Sequence, residues 1–99
     1  MLHIVNKSHT QTSALQSCLR LAKAGHALLL TEDAVYAATA AAAASSGLAQ
    51  ALATLKVYAL QPDVEARGMA GKLVEGVTPV DYAGFVGLVV EHPNNQSWL

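Results

Sequence analysis

The sequence contains one cysteine, Cys18, among its 99 residues. A single sulfur excludes an internal disulfide and a metal site built from cysteines alone. Three roles remain for Cys18: a packed side chain, a link to another chain, or a reactive thiol. A lone unpaired cysteine is also consistent with a reducing compartment, so we expect the protein to be cytoplasmic.

Charged residues are scarce as well. They make up 13% of the sequence, against about 25% in typical soluble domains. The six basic residues are scattered and the formal net charge is −1, so we expect no direct binding of nucleic acid. We expect a single small domain over residues 1–99. Although much of its apolar excess is alanine, the scarcity of charge indicates that part of its surface is buried against other subunits.

Four further absences narrow the function. The segment 1–5 lacks the basic and long apolar parts of a signal peptide. The longest uncharged stretch, 34–55, is rich in Ala, Ser and Thr and is broken by Gly47, so we expect no membrane span. No glycine-rich phosphate loop follows a predicted strand, which counts against a nucleotide enzyme. No metal ion is expected, because the histidines lack metal-ligand spacing, and no other cofactor is expected. The histidines are His3, His9, His26 and His92.

What is present is an alternation of strand-like and helix-like segments. Short apolar or β-branched runs predict strands, and runs with capping residues and alanine predict helices. Four such alternations favour an α/β fold with a mostly parallel four-stranded sheet and flanking helices. The predicted strands are 2–6, 26–31, 56–60 and 77–80, the last at a sheet edge because of Pro79. The predicted helices are 13–23 with a Ser13-x-x-Gln16 capping box, 33–44 capped by Asp33, a turn or two within 48–54, 61–68 and 82–91 capped by Asp81.

The last predicted helix, 82–91, is apolar on nearly every side. Such a helix is buried on more than one face, and one sheet can cover only one of them. Gly84 and Gly87, three positions apart, would allow another backbone to approach closely. The helix is therefore either an oligomer interface, which we favour, or is buried within its own chain.

Cys18 lies near the centre of an apolar arc on the first predicted helix. The arc is formed by Ala14, Leu15, Leu19, Leu21 and Ala22. Periodicity alone therefore favours a buried, inert thiol, since cysteine is among the most buried residue types. The position is in the second turn, where the helix dipole has largely faded. Lys7 or His9 in the preceding loop could raise the thiolate fraction if either approached the sulfur.

Polar residues follow three of the predicted strands. In parallel α/β sheets these carboxyl ends form the usual ligand crevice. The pair Glu32 and Asp33 could perform acid–base chemistry there, although helix capping by Asp33 beside a solvated Glu32 is the plainer interpretation. The residues at these ends are Lys7, Ser8, His9, Glu32, Asp33 and Asp81.

Several segments, in order along nearly the whole chain, together resemble the DsrH/TusB family of small sulfur-relay subunits. They are Leu2-His3-Ile4-Val5-Asn6-Lys7-Ser8, Leu15-Gln16-Ser17-Cys18-Leu19-Arg20, Leu28-Leu29-Leu30-Thr31-Glu32-Asp33-Ala34-Val35-Tyr36-Ala37-Ala38, Lys56-Val57-Tyr58-Ala59-Leu60 with Asp63-Val64-Glu65-Ala66-Arg67-Gly68, and Val80-Asp81-Tyr82-Ala83-Gly84-Phe85-Val86 with Gln96-Ser97-Trp98-Leu99. The chain departs from the family at His9-Thr10, where a proline and an aromatic are usual, and at Ala34, where glycine is usual.

The resemblance implies a small three-layer DsrE-like fold and a heterohexamer with two related sister subunits, of the TusC and TusD or the DsrF and DsrE type. It implies a persulfide relay with a small sulfur-carrier protein upstream or downstream. One branch of the family serves 2-thiouridine formation at the wobble position of tRNA, and the other serves dissimilatory sulfur oxidation. Cys18 matches a cysteine implicated in sulfur transfer in DsrH-type members. The chain is then either a sulfurtransferase subunit that carries persulfide on Cys18 or a structural subunit that positions a partner's cysteine.

Overall fold

The computed structural model describes residues 1–98, and within them five strands form one parallel sheet. Its strand order is β4-β3-β2-β1-β5. The strands are β1 (Leu2–Val5), β2 (Ala27–Leu30), β3 (Lys56–Leu60), β4 (Thr78–Val80) and β5 (Asn95–Trp98). The predicted α/β fold is confirmed, but the predicted strand number of four is wrong. The strand that the sequence did not predict is β5, whose polar residues show no apolar alternation. Strand β4 lies at an edge of the sheet, as Pro79 indicated.

Helices cover both faces of the sheet, which gives three layers. Because side chains alternate across a strand, β1 and β2 contribute to two separate cores. The larger core joins Val5, Leu28 and Leu30 to the helices on the first face of the sheet. The smaller core joins Leu2, Ala27 and Leu29 to Leu88 and Phe85 of the last helix. Among residues 1–98, the second face is thus packed against a single helix.

The first helix, α1, spans Ala14–Leu21 and ends two residues earlier than predicted. The predicted capping box is wrong, since the Ser13 side chain makes no capping hydrogen bond. The Thr12 hydroxyl instead accepts a hydrogen bond from the backbone N–H of Ala14, at 3.3 Å. The helix ends because Ala22 adopts an extended backbone conformation.

The predicted helix over residues 33–44 does not form as a continuous α-helix. A 3-10 helix spans Glu32–Ala38, and Thr39 then turns to an extended conformation. Thr39 pairs with Leu73 in an isolated antiparallel bridge, and the Ala40 N–H donates to the Lys72 carbonyl at 2.8 Å. These long-range backbone bonds override the high helix propensity of alanine.

The rest of the alanine-rich segment forms two short helices, α2 (Ala43–Ser46) and α3 (Leu48–Ala51). Gly47 separates them with a φ of 88°, a left-handed conformation that favours glycine. Helix α4 (Gln61–Ala66) follows β3 directly, with Pro62 in its first turn as expected. No helix within residues 1–98 is both long enough and apolar enough to cross a lipid bilayer.

The last helix, α5, spans Tyr82–Glu91, as the sequence predicted. Asp81 caps it, because its Oδ1 accepts a hydrogen bond from the Gly84 N–H at 2.8 Å. A Cβ at Gly84 would lie 3.0 Å from the Cβ of Val80. Gly84 therefore lets α5 approach its own strand β4, whereas a Cβ at Gly87 would meet no atom within 4 Å.

Candidate functional site

Cys18 lies on the inner side of α1 and is fully buried. It belongs to the larger core, together with Leu15 and Leu48. Burial raises the pKa of the Cys18 thiol to about 12. The sulfur of the isolated chain is therefore a neutral thiol without access to solvent, and a thiol reacts as a nucleophile only after it ionises.

Neither of the loop residues that could have activated Cys18 affects its ionisation. Burial is the cause of the raised pKa, and neither Lys7 nor His9 acts on it. Nδ1 of His9 is buried without a hydrogen-bond partner, as is Oδ1 of Asn6. The loop that follows β1 therefore does not contribute to the pKa shift of the Cys18 thiol.

The carboxyl ends of β2 and β3 are joined by an ion-pair network. Asp33 does not cap a helix as predicted; its Oδ1 accepts a hydrogen bond from Nε of Arg67 at 2.8 Å. The N–H of Glu32 donates to Oδ2 of Asp63 at 2.6 Å, and Glu32 has a φ of 49°. Asp63 also lies 3.9 Å from a guanidinium nitrogen of Arg67.

This network separates Glu32 from Asp33. The Asp33 side chain forms an ion pair with Arg67, whereas the Glu32 side chain is exposed. An acid–base pair needs two carboxyl groups that face one reacting atom, and these two do not share a partner. An open cleft of about 410 Å³ lies beside them and is lined by Ser8, His9, Thr10, Gln11, Asp33 and Tyr36.

Two of the four histidines meet in the fold, although they lie 23 positions apart in the sequence. Nε2 of His3 is 3.0 Å from Nδ1 of His26, and the indole Nε1–H of Trp98 donates to Nδ1 of His3 at 3.1 Å. No local pattern in the sequence predicts this cluster, because its three rings come from distant segments. Within residues 1–98 no three His, Cys, Asp or Glu side chains are grouped as metal ligands would be.

The outward side of α5 presents large apolar side chains to solvent. Tyr82, Val86 and Val90 are 59%, 62% and 75% exposed, and Val89 is 36% exposed. The first three are spaced by four residues and therefore lie on one side of the helix. Together with Gly87 these residues form the α5 outer face, which includes no charged side chain. A contiguous exposed apolar face of this kind is typical of a protein–protein contact.

The sequence of this α/β domain matches a known protein family over most of its length. The family described as "DsrH like protein" matches residues 7–95, and the chain belongs to that family. Membership supports the coarse role that the resemblance implied, a subunit of a sulfur relay.

Full-length relatives carry the name Protein TusB. The TusB proteins of Shigella flexneri and of Escherichia coli O1:K1 are each 38% identical to this chain over 98 residues, covering 99% of this chain and all of theirs. A solved structure of a protein of unknown function from Methanobacterium thermoautotrophicum has a TM-score of 0.72 and 17% identity. It covers 97% of this chain and 95% of its own, and this likeness concerns the fold alone.

Proposed function

We propose that this protein is the TusB-like subunit of a cytoplasmic sulfur-relay complex that contributes to 2-thiouridine formation at the wobble position of tRNA. The observation that carries the proposal is the full-length identity of 38% to proteins named TusB. The α5 outer face supports it independently, because a subunit of a complex needs a surface that is covered only on assembly.

In this proposal the chain acts with two related sister subunits, in a heterohexamer, and exchanges sulfur with a small carrier protein. The α5 outer face is the contact for a sister subunit. Six scattered basic residues offer no track for a phosphate backbone. The tRNA is therefore reached through partner proteins and not through this chain.

The proposed role of Cys18 is that of a secondary sulfur carrier which works only in the assembled complex. The Cys18 thiolate would attack the outer sulfur of a donor persulfide, R–S–SH. The S–S bond of the donor breaks, Cys18 becomes a persulfide, and the donor leaves as a thiolate that takes up a proton. The alternative is a structural subunit that positions a partner's cysteine, and the burial of Cys18 favours it.

Mass measurement of each subunit separates the two roles of Cys18. We expect the chain within the purified complex, incubated with a persulfide donor, to gain one sulfur atom, and the Cys18→Ala variant to gain none. The isolated chain is the control and should gain none, because its sulfur is buried and neutral. If a sister subunit gains sulfur while this chain in the complex does not, Cys18 is no carrier and the chain is structural.

The alternative function is that of a DsrH-like subunit of a complex for dissimilatory sulfur oxidation. The 2-thiouridine content of tRNA distinguishes this alternative from the proposed function. We expect cells that lack this chain to lose wobble 2-thiouridine, measured in nucleosides from total tRNA, and to regain it from a plasmid copy. Unchanged 2-thiouridine together with impaired sulfur oxidation would contradict the proposal and support the alternative.

A further inference from the structure

Three rings joined by hydrogen bonds link β5 to β1 and to His26, the residue before β2. The Trp98 indole N–H donates to Nδ1 of His3 at 3.1 Å, across 95 positions of sequence. Nε2 of His3 lies 3.0 Å from Nδ1 of His26. That same Nδ1 accepts the backbone N–H of Lys23 at 3.2 Å. The ring centroids of His3 and Trp98 are 6.1 Å apart.

The N–H donors at the two ends of this series of hydrogen bonds determine where the imidazole protons lie. An indole N–H only donates, so Nδ1 of His3 must present its lone pair to Trp98. The single ring proton of His3 is then on Nε2 and points at Nδ1 of His26. Because that nitrogen also faces the Lys23 N–H, it presents a lone pair as well. Both rings are therefore neutral, with their protons on Nε2.

A second proton on either ring has only one place to go. On His3 it must occupy Nδ1, where it faces the indole N–H of Trp98. On His26 it must occupy Nδ1, where it faces both the Nε2–H of His3 and the N–H of Lys23. Each protonation thus replaces a hydrogen bond with two hydrogens that point at one another.

The surroundings of the two rings oppose protonation. Burial is the main reason why the pKa of His3 lies below the usual value, and His26 and the amino terminus lower it further. The pKa of His26 is lowered by desolvation first and then by the amino terminus and Lys23. His3 is 2% exposed.

No anionic side chain faces the pair from the elements packed against it, within residues 1–98. Helix α1 packs on β1 and β5 and has Arg20 as its one charged residue. Strands β2 and β5 have none in the described range. The Lys56 N–H donates to the His26 carbonyl at 3.0 Å. An imidazolium here would gain no counter-charge from these elements.

We propose that His3 and His26 form an acid-sensitive latch that holds β5 on β1 through Trp98, and that a second proton on either ring releases β5. Release removes the pairing of Leu2–Val5 with Asn95–Trp98 and frees the outer backbone edge of β1. An unpaired strand edge is a template for pairing with another chain. The latch therefore makes access to this edge depend on pH.

The direction of the effect follows from linkage. Both imidazoles have a lower pKa in the closed state than in the open state, so they bind protons preferentially when β5 is released. The stabilisation of the closed state is complete above the ordinary histidine pKa of about 6.5 and is lost as the pH falls below it.

Trp98 is the sole tryptophan of the sequence, so its fluorescence reports on the latch directly. We expect acrylamide quenching of Trp98 in the full chain to rise severalfold as the pH is lowered from about 8 to about 5, the range in which histidine titrates. The emission maximum should shift to longer wavelength over the same range. Far-UV circular dichroism should keep its helical signal, because release of β5 leaves the helices in place.

Variants assign the transition to the two rings. The double variant His3→Gln/His26→Gln should lose the pH dependence of quenching. His26→Gln, at a half-exposed position, should reduce it while retaining the fold. His92→Gln is the matched control, since His92 bonds to the Leu88 carbonyl on α5 and not to Trp98, and it should behave as the wild type.

Three results would overturn the latch. One is quenching of wild-type Trp98 that does not change with pH over this range. Another is an unchanged transition in His26→Gln and in the double variant. The third is a loss of the helical circular dichroism signal with the same midpoint, which would mean that acid unfolds the whole chain.

Discussion

Cys18 in the native isolated chain should react with a thiol-labelling reagent more than roughly a thousandfold more slowly than Cys18 in the unfolded chain. The reagent attacks thiolate, and an exposed cysteine ionises with a pKa of about 8.5. Burial raises the pKa of the Cys18 thiol to about 12, so the thiolate is correspondingly scarce at neutral pH. The complete burial of the side chain slows the reaction further.

The labelling rate can be measured in native buffer and in denaturant, at several pH values. Ser45→Cys in a Cys18→Ala background is the matched control, because Ser45 is exposed, and it should react at the rate of a free thiol. Native labelling of Cys18 at a rate close to that of the unfolded chain would show that the α1 face opens readily in solution. That result would favour Cys18 as a carrier even without partners.

The same ionisation affects stability at alkaline pH. The pKa of the unfolded thiol is about 8.5, whereas burial raises the pKa of the native thiol to about 12. The contribution of the neutral buried thiol to the free energy of unfolding is therefore complete below about pH 8.5 and is lost as the pH rises above it. Cys18→Ala lacks this pH dependence and provides the reference.

Charge placed on the α5 outer face should abolish assembly with the sister subunits. Val86 and Val90 are 62% and 75% exposed in the isolated chain, so Val86→Asp and Val90→Asp cost the free chain little. In the complex each new carboxylate would be buried without a partner, at a cost on the order of 3 kcal/mol or more. That corresponds to a loss of affinity of about a hundredfold or more.

Co-purification of the three subunits and native mass spectrometry would measure this loss. Leu21→Asp is the matched control, because Leu21 is an apolar residue of α1 that is 65% exposed, and α1 packs on the opposite face of the sheet from α5. It should leave the complex intact. A complete complex that contains Val86→Asp or Val90→Asp would show that α5 is not a subunit contact.

Local patterns predicted the elements that are stabilised by local chemistry. Strand β3 is a β-branched and aromatic run, and helix α5 begins at the Asp81 cap, and both have the predicted bounds. The prediction of one helix over residues 33–44 was wrong because the backbone of this alanine-rich segment pairs with residues 72–74. No local pattern shows that pairing. The sequence prediction missed strand β5 because its hydrogen bonds come from β1, which lies 93 positions earlier in the register.

The candidate site was predictable to a similar extent. The apolar arc on α1 correctly indicated that Cys18 is buried. The role of Cys18 in sulfur transfer rests on the family resemblance and stays a prediction. The contact among His3, His26 and Trp98 could not be predicted, because it depends on strand register and on the pleat of β1.

The strand order also determines when the sheet can be completed during synthesis. β1 lies inside the sheet, between β2 and β5, yet the partner of its outer edge is made more than ninety residues later. Contacts of such long sequence separation slow folding, so a nascent chain carries an open β1 edge while β2, β3 and β4 are already available to pair. When β5 pairs with β1, it covers this edge, which is then no longer available for pairing with other chains and for aggregation.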